Sequence, residues 1–522
     1  MPVPSSSICV CKGVPINNTY EHSLYFETWE AQSSYFLSKV DQFYGNYTYL
    51  RENHSIKVSA NMAQAMTWNY LYYSNGDGRK FYNFIKRVSY VNEATVLLEL
   101  ELDVIQTFMF DWKMKQCFIE RQHTNSDELY QHTIPEGLET GPLVDNAIDY
   151  VNMDEMVVMV MTTNNQAGNL GCGSIYDGIY STLNVYAVNL THYPDFSEWL
   201  DAQSETGKID AIVAMWMYPR RLLQITKYDD EEPILKHIVL SQPSVHNCVN
   251  DFPTDFQGYT PKNKKLYTYP YMMMYVTNNE GGAAVYRPEL FKTPGEHKFT
   301  LYGGLFPECG AMLIPHNYKD VAMNFDESLA HGAFPTCAWD SDTYKVWLAQ
   351  NQNQHKLANT QAIIQAGTGV MMAMGGLAQQ NISMGTAGLA IGFNALMQQQ
   401  QLMAQKADME IQPPQARGQI SGNLNLAHGR CGYDIHFRTI TAEYARRIDE
   451  YFTRYGYQVN MLDVPSLKNR ENYTYNKTVG CLVTGNFGTE YQLKIQSIFD
   501  KGITFWVNPS YVGIYTISNN PL

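Results

Sequence analysis

Apolar and polar residues alternate with period two along several stretches of this chain, and such alternation predicts strands. The clearest stretch is 96–104. Val96, Leu98, Leu100, Leu102 and Val104 fall on one face, while Leu97, Glu99, Glu101 and Asp103 fall on the other. Upstream, residues 68–73 and 81–85 flank Asn75-Gly76-Asp77-Gly78, whose glycines supply the positive φ of a tight hairpin. Residues 156–161 form a short apolar run that suits a buried strand. Asp195 is placed to cap a short helix through Trp199 and Leu200. Strands are expected over 209–217 and 266–276, the second closed by Asn278-Asn279-Glu280-Gly281-Gly282.

The last ninety residues have the clearest pattern. Tyr433, Ile435 and Phe437 alternate with Asp434, His436 and Arg438, as in a half-buried strand. Thr441 then caps a helix with Tyr444, Ile448, Tyr451, Phe452 and Tyr455 on one face, stopped by Gly456. Strands follow over 457–464 and 479–483. Thr489-x-x-Gln492 is a capping box opening a helix with Ile495, Ile498 and Phe499 inward, and 503–507 closes the series. The order β-α-β-β-α-β is that of the ferredoxin-like motif. The fold class expected is α+β, β-rich and multidomain, with segments 1–140, 141–356, 357–425 and 426–522.

One stretch breaks the pattern. Residues 357–405 contain no Asp, Glu, Lys, Arg or His. With 17% of the chain charged, a run this long is expected about 0.01 times per chain of this composition. Two apolar patches, 370–378 and 387–397, are separated by Gln379-Gln380-Asn381, and glycines are dense. Gly388-Leu389-Ala390-Ile391-Gly392 is a small-xxx-small pattern of the kind that lets helices approach closely in lipid. Each patch falls well short of the ~20 residues of a spanning helix, so a permanent anchor is not expected. Three readings stand: a low-complexity linker, a buried helical hairpin, and a segment stored within protein and released near a bilayer. Glycine density speaks against the second, since each interior Gly costs a helix ~1 kcal/mol relative to Ala. Gln412-Pro413-Pro414-Gln415-Ala416-Arg417-Gly418 then makes a stiff exit that cannot continue a helix.

Composition narrows the function classes. A net charge of −14 argues against a general nucleic-acid binder, whose affinity comes from neutralised phosphates. The nine cysteines are scattered and odd in number, which argues against a disulfide framework and for assembly in a reducing cytoplasm. The N-terminus lacks the basic and apolar regions of a secretory signal. No Walker loop, HExxH or nucleophile elbow occurs. Gly168-Asn169-Leu170-Gly171-Cys172-Gly173 has the wrong order for a dinucleotide fingerprint, and His246-Asn247-Cys248 is an isolated pair without further ligands. Glu99, Glu101 and Asp103 lack an accompanying His or nucleophile and read as a solvated sheet face. No catalytic residue, metal or cofactor is expected.

The order of longer motifs resembles a known family. Lys86-Arg87-Val88-Ser89-Tyr90-Val91-Asn92, then Asp103 to Phe108, then Phe118-Ile119-Glu120-Arg121-Gln122-His123 are similar to the distal tail-tube (tail knob) proteins of small short-tailed phages of Gram-positive bacteria. Trp339-Asp340-Ser341-Asp342-Thr343-Tyr344 before the uncharged run, and Phe499-Asp500-Lys501-Gly502-Ile503-Thr504-Phe505-Trp506 near the end, extend the resemblance over nearly the whole chain. It implies a hexameric tube at the virion's tail tip, joined to a proximal tail-tube or lower collar protein. Hydrophobic loops would plug the lumen, then leave it to form a pore in the host cytoplasmic membrane for viral DNA. The loop residues carried over are Val370, Met371, Met372, Met374, Leu377, Gly388, Leu389, Ile391, Gly392, Phe393, Leu396 and Met397. Glu99, Glu101 and Asp103 are then candidates for an acidic channel lining that lets DNA slide. The alternative is a purely structural tube or host adhesin whose loop only plugs the channel.

Overall fold

Strands dominate the computed structural model, which describes residues 6–45, 54–74, 78–163, 174–176, 179–181, 184–189, 198, 200, 208–227, 236–248, 252–307, 309–341, 415–421 and 431–522. They gather into two units, each discontinuous in sequence. The first comprises 1–143, 254–271 and 440–522, and the second 144–253 and 272–439. The first break falls between Leu143 and Val144, and the segment 426–522 divides at Ile440 between the two units.

The first unit holds a six-stranded antiparallel sheet. Its order is Val40–Gly45, Ser7–Lys12, Trp68–Ser74, Lys80–Asn92, Thr95–Leu102 and Ser55–Val58. The expected hairpin forms, with Ser74 opposite Lys80. Both faces are apolar because the central strands carry apolar residues at odd and even positions alike. Ile8, Val10, Leu71 and Leu98 enter one cluster, and Cys9, Tyr70, Tyr72 and Phe84 enter another. Phe36, from the helix Trp29–Ser38, stacks on Tyr70 at 5.2 Å in the second cluster.

A five-stranded sheet completes this unit, in the order His22–Leu24, Ile503–Trp506, Tyr473–Val479, Cys117–Gln122 and Tyr457–Asp463. The C-terminal helices and strands come in the expected order, except that the strand expected over 479–483 falls on a break between Tyr473–Val479 and Val483–Gly485, and they do not close into a ferredoxin-like sheet. Gly432–Ile440 pairs with Met272–Thr277 in the second unit, and Cys117–Gln122 stands between the two strands that would be neighbours. Exposed backbone on those strands is satisfied equally well by a strand distant in sequence, a choice that element order does not encode. The capping box is also replaced. Gly488 is the N-cap, and Gln492 Nε2 instead donates to the carbonyls of Gly485 (3.1 Å) and Phe487 (2.9 Å).

The helix Ala442–Tyr455 buries Ala445, Ile448 and Phe452, and ends at Gly456 with φ +65. A Cβ there would lie 2.2 Å from the Gln122 carbonyl oxygen, so only glycine fits. Asp449 of this helix is buried and accepts from Tyr259 Oη (2.6 Å), the Lys262 amide (2.8 Å) and Asn263 Nδ2 (2.7 Å). Those bonds fasten the 254–271 segment to the helix.

The second unit is built on a seven-stranded sheet ordered Leu223–Lys227, Lys236–Ser241, Asn184–Asn189, Met156–Thr162, Ile212–Pro219, Thr336–Ser341 and Gln415–Ser421. Every residue of Met156–Thr162 is buried, which explains its unbroken apolar sequence. The strand expected over 266–276 begins only at Met272. Lys264–Tyr267 is a turn of 3-10 helix, and Pro270, lacking an N–H, cannot join a ladder. The helix cap at Asp195 lies outside the described residues.

Candidate functional site

The uncharged segment is carried on a two-strand stem. Thr336–Ser341 and Gln415–Ser421 pair antiparallel, with Ser341 opposite Gln415 and Trp339 opposite Arg417. The inner strand of the stem also pairs with Ile212–Pro219, placing Cys337 opposite Met215. Trp339 is 3% exposed and packs in a cluster with Val158, Val160 and Met215. Ser341 and Gln415, which flank 342–414 in sequence, therefore face each other on neighbouring strands at one edge of the seven-stranded sheet. Gln415–Gly418, read from sequence as part of the exit, belongs to the strand Gln415–Ser421 of that sheet. The loop residues from Val370 to Met397 lie outside the described residues. Among those described, no helix is long and apolar enough to cross a membrane.

The three carboxylates of the alternating strand separate into two environments. Glu99 and Glu101 share a face as expected, but neither stands alone. Glu99 lies 3.9 Å from Arg87. Glu101 accepts from Asn18 Nδ2 (3.0 Å) and Lys494 Nζ (2.9 Å), with Lys86 at 3.4 Å. Burial opposes ionisation of Glu101. The Asn18 and Lys494 bonds, with the nearby positive charges, outweigh it and hold the carboxyl below its usual range.

Asp103 does not belong to that face. The strand stops at Leu102, and Asp103 is the N-cap of the helix Val104–Phe108, with none of its surface exposed. Its Oδ1 accepts from the Ile105 and Gln106 amides (3.1 Å each), and Oδ2 accepts from Tyr70 Oη (2.9 Å). Asp103 with Gln106 three residues later was a helix-start signal that the alternation masked. Desolvation pushes the carboxyl up to about 6, against the pull of its hydrogen bonds. Between pH ~4 and ~6 the folded chain thus keeps a proton that the unfolded chain loses, so this group's contribution to stability falls as pH rises. Asp103→Asn keeps an N-cap acceptor and removes the titration. Its stability relative to the wild type should rise between pH ~4.5 and ~7, read from urea midpoints. An unchanged difference would show that the carboxyl is not proton-linked to folding.

The fold also gathers a set of groups that are far apart in sequence. His246 Nε2 lies 2.7 Å from Asp149 Oδ2. His246, Cys248 and Asp149 bring donor atoms within 4.8 Å of one another. His246 and Cys248 were visible as a pair. Asp149, 97 positions away, had no signal in sequence.

A family model for the C-terminal domain of the Bacillus phage phi29 tail knob protein gp9 matches residues 237–520. The chain belongs to this tail knob family. A second model, the N-terminus of the caudoviral major tail protein, matches residues 4–113. The tail knob protein gp9 of Bacillus phage B103 is 25% identical, with 99% of each chain covered. That of Bacillus phage phi29 is 24% identical at the same coverage. Among solved structures, the bacteriophage C1 tail knob protein gp12 matches with a TM-score of 0.70 at 15% identity, covering 99% of this chain and 100% of that one. That likeness is one of fold. As a tail knob protein, the chain is a component of the phage virion and assembles with other tail proteins. These relatives carry a structural description rather than an enzymatic one.

Proposed function

We propose that this tail knob protein forms the distal end of a short phage tail as a hexameric tube. Residues 357–405 of each copy plug the lumen, then leave it and open a pore in the host cytoplasmic membrane through which viral DNA passes. The tube joins a proximal tail-tube or lower collar protein, and DNA slides through without sequence-specific contacts. One observation carries this reading: a segment free of ionisable groups is mounted on a stem of two paired strands, so it can be displaced as a unit while both roots stay in the sheet. Lacking charge, the segment avoids the large cost of moving ions into a medium of low dielectric constant, in a dry plug or in lipid.

In this reading Glu99 and Glu101 border the channel, and Asp103 does not. Their neighbours Lys86, Arg87 and Lys494 make that border a mixed one rather than a bare acidic wall. Dye-loaded liposomes test the pore. The intact chain should release dye at low or neutral pH, and a chain lacking 357–405 should not. Equal leakage from both, or none from either, would leave only a structural tube whose loop serves as a plug.

A further inference from the structure

Asp149, His246 and Cys248 present one oxygen, one nitrogen and one sulfur to a common point. His246 lies in the strand Ser244–Asn247, and Cys248 is the residue just past its end. Asp149 comes from Leu143–Asn152, in the four-stranded sheet, whereas Ser244–Asn247 belongs to the five-stranded sheet of the same unit. The three donor atoms therefore converge from two sheets.

The convergence is held in place from outside. Arg221 donates to the Asn152 carbonyl (2.7 Å) and to Ser244 Oγ (3.1 Å), tying the two strands together a short distance along both. The Cys248 amide donates to the His297 carbonyl (3.0 Å), and Asp149 Oδ1 accepts from the Tyr150 amide (2.7 Å). These bonds orient the donors without using the atoms that face one another. The side chains of Asp149 and His246 are 12% and 21% exposed, Cys248 is fully buried, and the thiol is in no disulfide.

We propose that Asp149, His246 and Cys248 bind a divalent zinc ion that staples the two sheets. The donor set selects the metal. Thiolate and imidazole suit zinc, whereas calcium and magnesium take oxygen ligands. Three protein donors leave the fourth tetrahedral position to water. On binding, zinc takes the place of the hydrogen bonds that Asp149 shares with His246 Nε2 and with the Cys248 thiol. The imidazole carries its proton on Nδ1, and the thiol proton passes to solvent.

The test uses the purified full-length chain. Expression with added zinc should yield about one bound equivalent by elemental analysis. Replacing zinc with Co2+ should give the thiolate-to-metal charge-transfer band and the visible bands of a tetrahedral site. Cys248→Ser should abolish the charge-transfer band and weaken zinc binding by at least the ~10–100-fold that even an outer-shell partner is worth. His246→Gln, whose side chain is the most exposed of the three, should weaken zinc binding likewise and serves if Cys248→Ser does not fold. Zinc should raise the melting temperature of the wild type and not that of Asp149→Asn. Absence of retained zinc with no thiolate band, or a band that persists in Cys248→Ser, would show a hydrogen-bonded cluster only and overturn the proposal.

Discussion

Leu389→Asp together with Phe393→Asp should abolish dye release from liposomes while leaving the chain folded. Both positions lie in the second apolar patch, in a segment with no charge to lose. Each Asp at the centre of an inserted helix costs about 3 kcal/mol, so two cost about 6. At ~1.4 kcal/mol per decade, insertion falls by roughly four orders of magnitude. Gln400→Glu with Gln401→Glu adds the same charge beyond the apolar patches and should leave most of the leakage intact. The pair of variants separates insertion from a general effect of charge. Leakage from the aspartate variant within tenfold of the wild type would contradict entry of this segment into lipid.

Glu136→Ala should destabilise the first unit by about 3–5 kcal/mol, the cost of breaking a buried ion pair from one side. Its carboxylate has no exposed area and pairs with both Lys265 and Arg121, whose side chains are 1% and 9% exposed. Lys265 Nζ also sits 5.5 Å from the Phe452 ring centroid and 5.4 Å from that of Tyr457, while Arg121 Nη1 donates to the Gly456 carbonyl (2.7 Å). Removing Glu136 therefore strands two cations among aromatic rings at the C-terminal end of the helix Ala442–Tyr455. Glu136→Leu combined with Lys265→Met should recover part of the loss, because matched apolar residues replace buried pairs with little penalty. Urea denaturation of the three proteins provides the comparison. A loss below about 1 kcal/mol for Glu136→Ala would mean that water reaches the cations, as at an exposed pair.

Local pattern made much of the architecture legible. Period-two alternation found the strands around Glu99 and Ile435, and glycine chemistry found the hairpin and the stop at Gly456. Helical spacing found Ile448, Phe452, Ile495 and Phe499 as inward residues. What it missed lay in choices between partners. Nothing local in Cys117–Gln122 indicates that it will stand between Tyr473–Val479 and Tyr457–Asp463. Asp103 was misplaced because alternation continues through it in sequence, while three hydrogen bonds and complete burial decide its role in the folded chain. At the candidate site, lack of charge over 357–405 was plain, but the pairing of Thr336–Ser341 with Gln415–Ser421 was hidden by the prolines that precede the second strand. The Asp149 partner of His246 and Cys248 was hidden for the same reason as the sheet order, since long-range contact leaves no periodicity.

The stem fixes how far its cargo can travel. Its roots are one strand spacing apart, about 5 Å, so in the proposed pore the span 342–414 would spend half its length going out and half coming back. That allows about 36 residues each way, or roughly 55 Å if wound as paired helices and roughly 120 Å if drawn fully straight. The shorter figure already exceeds the ~30 Å of a hydrocarbon layer. A tube rim docked within about 25 Å of the lipid could thus deliver the tip across to the far leaflet without unzipping a single rung, and a rim held back beyond the longer figure could not touch the bilayer at all.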